Sequence, residues 1–324
     1  MRPRILRAAC AFVSVSLVIG SCSSAPKQSD TVQTVKIQAD QEAASGEAYY
    51  RQGRYDLALQ LFTQALSGYT SVDDGAGIIR SYNAIGKSYV VLGSLDLAEN
   101  IFLRARERAQ GESPSLLFDS SINLGELYLA KGDAQSARTT LLNANTMPFP
   151  GRRSAQTAML YHDLGTAEKN LGNSPKALEY FQLSLKTNLS NKYIAEAASD
   201  YYMIASVYSR DGMYDEALKN ASLALSLDKR VESSPGIAKD LYAMGLIAAK
   251  KGDQGSAFDY FQRSYLVSTT LGFRDDMKKA LARLVAAADA LGRTTDAESY
   301  RHALADLENP PSSMGNPPSS MGTP

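Results

Sequence analysis

Apolar positions along the chain recur at helical spacing and are interrupted by glycine at a nearly fixed interval. In residues 202–225 Tyr208 stands four positions before Gly212, Ala217 five after it, and Ala221 and Ala224 follow at helical spacing. Residues three and four apart share one helix face, so this stretch predicts two helices hinged at a glycine, with small residues where they approach. The hinge recurs at Gly53, Gly93, Gly132, Gly172, Gly212, Gly252 and Gly292, at spacings of 40, 39, 40, 40, 40 and 40. The alanine five residues later recurs each time, as Ala58, Ala98, Ala137, Ala177, Ala217, Ala257 and Ala297. Seven before the hinge stand Gly46, Gly86, Gly125, Gly165, Ala205 and Gly245. One such hairpin cannot bury both apolar faces; a stack of hairpins can.

These positions carry a resemblance. Repeat one gives Gly46, Tyr49, Gly53, Tyr55, Ala58, Phe62 and Ala65, and repeat two gives Gly86, Tyr89, Gly93, Leu95, Ala98, Phe102 and Ala105. The pattern resembles the tetratricopeptide repeat (TPR) family, in a variety with a repeat near 40 residues where the usual repeat is about 34. The extra residues are expected to lengthen the helices and their junctions. The resemblance implies an all-α, TPR-like α-solenoid. Seven antiparallel helix pairs, fourteen main helices, would stack over residues 41–305 as a right-handed superhelix.

Within each pair the roles follow from local chemistry. The hinge glycines suit the left-handed residue that ends a helix, and Asp133 and Asp253 are placed to cap the helices that follow. The Asp73-Asp74 and Asp275-Asp276 pairs read as helix starts. Leu61, Phe62, Ile101, Phe102, Tyr180, Phe181, Tyr260 and Phe261 are expected to fill the space to the next repeat. In the last repeat Arg301 stands where earlier repeats place Phe, as in a solvated terminal cap.

Residues 1–21 read as a lipoprotein signal peptide. Arg2, Arg4 and Arg7 form a basic start, Ala8 to Ile19 an apolar core too short to span comfortably, and Ile19-Gly20-Ser21-Cys22 resembles the bacterial lipobox. Cys22, one of two cysteines and the only one left after cleavage, would then be lipidated, because a lone cysteine makes no internal disulfide. Ser23 after it, by resemblance to the bacterial sorting rule, implies a lipid anchor in the bacterial outer membrane, on the periplasmic face. Residues 22–40 are polar and read as a flexible tether, in which Val32, Val35 and Ile37 offer the start of a short capping element. The Thr146-Met-Pro-Phe-Pro-Gly151 run reads as a stiff exposed loop. Residues 306–324, with Asn-Pro-Pro-Ser-Ser-Met-Gly repeated at 309 and 316, read as a disordered tail.

Charge narrows the partners. The chain has 34 basic and 34 acidic residues and is 44% apolar, and loss of the leader removes three arginines and no acid, so nothing marks nucleic-acid binding. No zinc-protease, Cys-x-x-Cys or phosphate-loop spacing occurs, the two histidines, His162 and His302, are far apart, and the glycines are spaced by a repeat rather than clustered. The reading is no enzyme, no cofactor and no metal.

The resemblance implies that one face of the first helices lines a concave groove for a peptide or a partner helix. Matched positions in the first half, such as Glu47, Tyr50, Lys87 and Glu126, are mixed. In the second half His162, Lys169, Asn170, Tyr202, Arg210, Lys239, Tyr242 and Lys250 are basic and aromatic, which suits an acidic segment. The asparagine clamp of chaperone-binding relatives is absent, since Glu47, Lys87, Glu126, Thr166 and Ser206 occupy its positions. The expected function is a membrane-anchored protein–protein interaction scaffold of the bacterial cell envelope. The alternatives are a structural spacer or assembly cofactor of an envelope complex, and a non-catalytic accessory subunit of an enzyme.

Overall fold

The computed structural model describes residues 30–147 and 154–309, and among these the chain forms fourteen helices and no strand. The signal peptide, Cys22, most of the proline-bracketed loop and the duplicated tail from 310 lie outside the described residues. The first helices of the pairs (A) and the second (B) alternate. They are α1 (Asp30–Arg51) and α2 (Tyr55–Ser71), α3 (Gly75–Val91) and α4 (Leu95–Glu112), α5 (Pro114–Ala130) and α6 (Ala134–Asn145), α7 (Ser154–Asn170) and α8 (Ser174–Ser190). α9 (Ile194–Arg210) and α10 (Tyr214–Arg230), α11 (Ser234–Lys251) and α12 (Gln254–Leu271), and α13 (Arg274–Ala290) and α14 (Thr294–Glu308) complete the stack. Each helix packs on its sequence neighbours, consistent with the right-handed superhelix of pairs.

The 40-residue period is two half-periods of 20. Helices of 17 residues, such as α8, α9 and α10, alternate with three-residue turns. At the hinge Gly212 takes φ +78°, and the next amide, Met213 N–H, donates to the Tyr208 carbonyl (2.9 Å). That six-to-one bond closes the helix and requires the left-handed residue. The turn between repeats uses the same geometry 20 residues on, where Asp73, Lys192 and Glu232 take positive φ without being glycine. The 39-residue interval has a different junction: α4 runs to Glu112, Ser113 is extended and Pro114 opens α5. Proline is suited to the first helical position because its missing N–H would have no partner there.

Inside each pair the two helices meet at a glycine and a large side chain. A Cβ on Gly165 would stand 2.6 Å from the Phe181 ring, and one on Gly86 2.4 Å from Phe102. Gly46 with Phe62, Gly125 with Leu141 and Gly245 with Phe261 repeat the contact. Where the fifth repeat has Ala205 in place of glycine, Ala221 stands in place of the phenylalanine, and both are buried. Two alanines together are smaller than glycine with phenylalanine, so the fifth repeat replaces the small-against-large contact with small against small. The far side of each large residue meets the next repeat: Phe181 packs with Ile204 and Val207, and Phe102 with Leu124 and Leu127. Asp133 and Asp253 accept from the Ser136 and Ser256 amides (3.0 Å each) as expected of caps, and Asp74 accepts from Gly77 N–H. In the terminal pair Arg301 pairs with Asp289 at 2.6 Å on the surface.

The expectation of a tether over 22–40 needs correction from Asp30 onward. α1 starts there and runs 22 residues. Ala39 is buried, the Tyr69 hydroxyl donates to Asp40 Oδ1 (2.6 Å), and Lys36 pairs with Asp74. The segment is polar but contains neither glycine nor proline between Asp30 and Ser45. Polarity mimicked a linker, while its buried side is a single small residue facing Gly68.

Candidate functional site

Successive A helices approach backbone to backbone at α3–α5, α5–α7, α7–α9 and α9–α11, whereas successive B helices stand further apart and meet through side chains, as Gln262 and Tyr300 do (3.1 Å). The A helices therefore line the inner side of the curve. Along it, the residue ten before one hinge faces the residue twelve before the next. Asn83 donates to Ser120 Oγ (3.0 Å), His162 Nδ1 meets Asp200 Oδ1 (2.7 Å), and Tyr202 lies beside Asp240. The ladder changes from neutral to charged midway along the stack.

Of the cavities that open on this face, two hold the basic and aromatic positions of the second half. The first, about 390 Å³, lies between repeats three, four and five and includes Glu126, Met159, His162, Asp163, Tyr193 and Glu196 in its wall. Behind the wall residues Ser184, Asn188 and His162 lies Asp200, fully buried, which accepts from Ser184 (2.9 Å) and Asn188 (2.8 Å) and faces His162. Asp163 is also buried, but its Oδ2 has no hydrogen-bond partner. Burial pushes the Asp163 carboxyl well above the usual range, and the Glu126 charge adds to it. Burial likewise raises Glu126, against the opposing charges of Lys87 and His162.

The second cavity, about 470 Å³, spans repeats five to seven, with Tyr202, Lys239, Tyr242, Ser268, Asp276 and Lys279 in its wall. Lys239 Nζ sits 3.9 Å from the centre of the Tyr202 ring. Beneath, Asp240 and Asp228 are hydrogen-bonded to each other, and burial, then the Asp228 charge, raises Asp240 to about 8. The Lys169 ammonium is depressed by burial and by Arg210 and Lys239 beside it, so three cations converge near the junction of repeats four to six.

His162, Tyr202, Lys239 and Tyr242 therefore stand in cavity walls. Lys169 and Arg210 join the basic cluster, but Arg210 is committed: it donates to the Lys169 carbonyl and to Ser174 Oγ (2.7 Å) and stands 3.6 Å from Asp211. Asn170 and Lys250 are exposed in the last turns of α7 and α11, outside both cavity walls. Asp163 and Glu196 escaped the groove positions taken from the resemblance. Asp163 had a signal: it stands nine before its hinge, where other repeats place Ala84, Met203 and Ala243. Among the described residues no group of three or more His, Cys, Asp or Glu is arranged to hold a metal ion.

A tetratricopeptide repeat family model matches residues 42–111 and 194–269. The chain is a TPR-like α-solenoid repeat protein. Among solved structures it is similar to the apo quorum sensor NprR from B. thuringiensis (17% identity, TM-score 0.67, 86% of this chain and 80% of that one). It is similar also to a Rap protein complexed with competence and sporulation factor (14%, TM-score 0.61, 86% and 79%). A third is the signal transduction ATPase with a tetratricopeptide repeat sensor from Pyrococcus horikoshii (13%, TM-score 0.70, 85% of this chain but 43% of that longer one). At these identities the likeness is one of fold. No curated protein matches the chain.

The expected outer-membrane, periplasm-facing lipid anchor is corrected here. Four solved structures that share the fold are described as a quorum sensor, a Rap protein, a signal transduction ATPase and a protein of nearly identical TPR-like repeats, and none of these four as an outer-membrane lipoprotein. No described helix is long and apolar enough to cross a membrane. That placement rested on Ser23, one residue outside the described ones.

Proposed function

We propose that the protein is a non-catalytic scaffold that binds a peptide or protein segment along the inner face of repeats three to seven. The observation that carries this reading is the pair of cavities on one face, each with charged side chains at its mouth and a buried polar atom without a partner beside it: Asp163 Oδ2 in the first, Ser268 Oγ in the second. Unpaired buried polar atoms are costly, and an incoming segment with hydrogen-bonding groups relieves them. The Rap protein solved with its factor supports the reading by likeness of fold. Panning a random twelve-residue peptide display library against the full chain tests it. Enriched peptides should lose binding when Tyr242 is replaced by Ala; no enrichment over an unrelated helical repeat protein overturns it.

A separate proposal concerns the first residues: residues 1–21 are a leader whose removal leaves an acylated Cys22. Labelling with a fatty acid should mark the wild type and not Cys22→Ala. Equal labelling of both would dismiss it.

A further inference from the structure

We propose that the cavity between repeats three, four and five receives a cationic side chain of the bound segment, a lysine or an arginine. The inference deepens the scaffold reading and rests on it for the identity of the partner, but the chemistry of the pocket stands by itself. Three carboxylates from three helices meet there: Glu126 on α5, Asp163 on α7 and Glu196 on α9. Asp200, behind the wall, is already satisfied and is therefore not a contact of the ligand. It takes hydrogen bonds from Ser184 and Asn188 and faces His162 Nδ1, so that imidazole is anchored behind the wall through one nitrogen.

Asp163 is the opposite case. Only 7% of its surface is exposed, it forms part of the cavity wall, and its Oδ2 is buried without a partner. A carboxylate in that state is tolerated either by keeping a proton or by receiving a cation. Burial and the Glu126 charge favour the proton in the empty protein. Lys87 on α3, in the wall of a neighbouring cavity and not of this one, acts on Glu126. A guanidinium or ammonium entering from the groove would meet Glu196 and Glu126 at the mouth and Asp163 within, with the Met159 side chain against its methylene stem. The charge-assisted hydrogen bonds made there are the strong kind. At about 390 Å³ the cavity is near the small end of ligand sites, sized for one side chain rather than a cofactor.

The test uses the full chain with propylguanidinium and propylammonium as probes of the two head groups, and butyramide as a neutral control, followed by amide shifts in an NMR titration. The charged probes should bind saturably in the millimolar range and shift residues around His162 and Ser199. Asp163→Asn should weaken them at least tenfold and Glu126→Gln at least threefold, with circular dichroism unchanged. The stronger of the two charged probes identifies arginine or lysine as the preferred side chain. Equal binding of butyramide, or undiminished binding by a folded Asp163→Asn, overturns the proposal. If Asp163→Asn fails to fold, Glu126→Gln decides by the same criterion. The library result separates the two readings. Cation binding that depends on Asp163, with no peptide enriched, sustains this site and removes the peptide scaffold. Enriched peptides without excess Lys or Arg, together with no probe binding, remove this site and leave the scaffold.

Discussion

The seam inside each helix pair and the seam between successive A helices are built from opposite materials. Inside five of the seven pairs, a glycine meets a phenylalanine or leucine. Between A helices, Asn83 with Ser120, His162 with Asp200 and Tyr202 with Asp240 face each other across neighbouring repeats. The first seam repeats one steric fit in five of the seven pairs. The second conserves only position, and its partners change from amide and hydroxyl to buried carboxyl groups along the stack. A repeat protein can thus hold its pairs constant while varying what its inner face presents.

The largest expected effect lies in the apolar seam. Phe181 is fully buried between Gly165 and the next repeat's Ile204 and Val207. Phe181→Ala should cost about 3–5 kcal/mol, read from urea unfolding. Gly165→Ala comes next, at about 1–3 kcal/mol, because its Cβ would overlap the ring. The fifth repeat already joins Ala205 to Ala221, so the double variant should cost at least about 1 kcal/mol less than the two singles added together. Strict additivity would mean that the size exchange between repeats four and five is coincidence.

The same contrast explains what could be read from the chain. Glycine, alanine and aromatic positions repeat because each has one steric solution, so the pairs, hinges and caps were legible from spacing. The extension of α1 back to Asp30 was only hinted at by Val32, Val35 and Ile37, because its one buried contact is alanine against glycine. The groove was half legible. His162, Tyr202, Lys239 and Tyr242 follow from matched positions, but whether Arg210 is free or tied depends on where the preceding repeat's Ser174 and carbonyl fall. Asp240 looks like an ordinary surface acid in sequence, and Asp163 differs from one only by its place nine before the hinge. Their burial is a property of the neighbouring repeat.

A third prediction probes the polar seam through pH. Asp240 is raised from an ordinary 3.8 to about 8, chiefly by burial. The folded state therefore holds a proton that the unfolded chain releases above about pH 4, and stability must fall as pH rises from about 4 through about 8. Asp240→Asn cannot ionise. Its urea midpoint should show a shallower decline across that window and equal or exceed the wild type at pH 8.5. A parallel decline in both proteins would assign the slope to other groups, with Asp228, itself raised by burial, the next to replace.

The smallest effect on stability should come from the basic cluster, where binding is expected to respond instead. Lys239 is exposed and rests on the Tyr202 ring, a contact worth about 0.5–1 kcal/mol at such a site. Lys239→Glu should therefore shift unfolding by no more than about 1 kcal/mol. It should also relieve the repulsion on Lys169, whose ammonium is held down by burial and by its two cationic neighbours. Arg210→Glu is the contrasting variant: it loses the bonds to the Lys169 carbonyl and Ser174 that join repeats five and four, so its stability cost should exceed that of Lys239→Glu. If acidic segments engage the second cavity, fluorescence anisotropy of a labelled Glu- and Asp-rich peptide should show binding to wild type that Lys239→Glu weakens at least tenfold. Propylguanidinium binding at Asp163 should be unchanged in the same variant, because Lys239 is not in that cavity's wall. A loss of both ligands together would mean that the two cavities are one coupled site; retention of the acidic peptide would show that the basic cluster serves the stack rather than a partner.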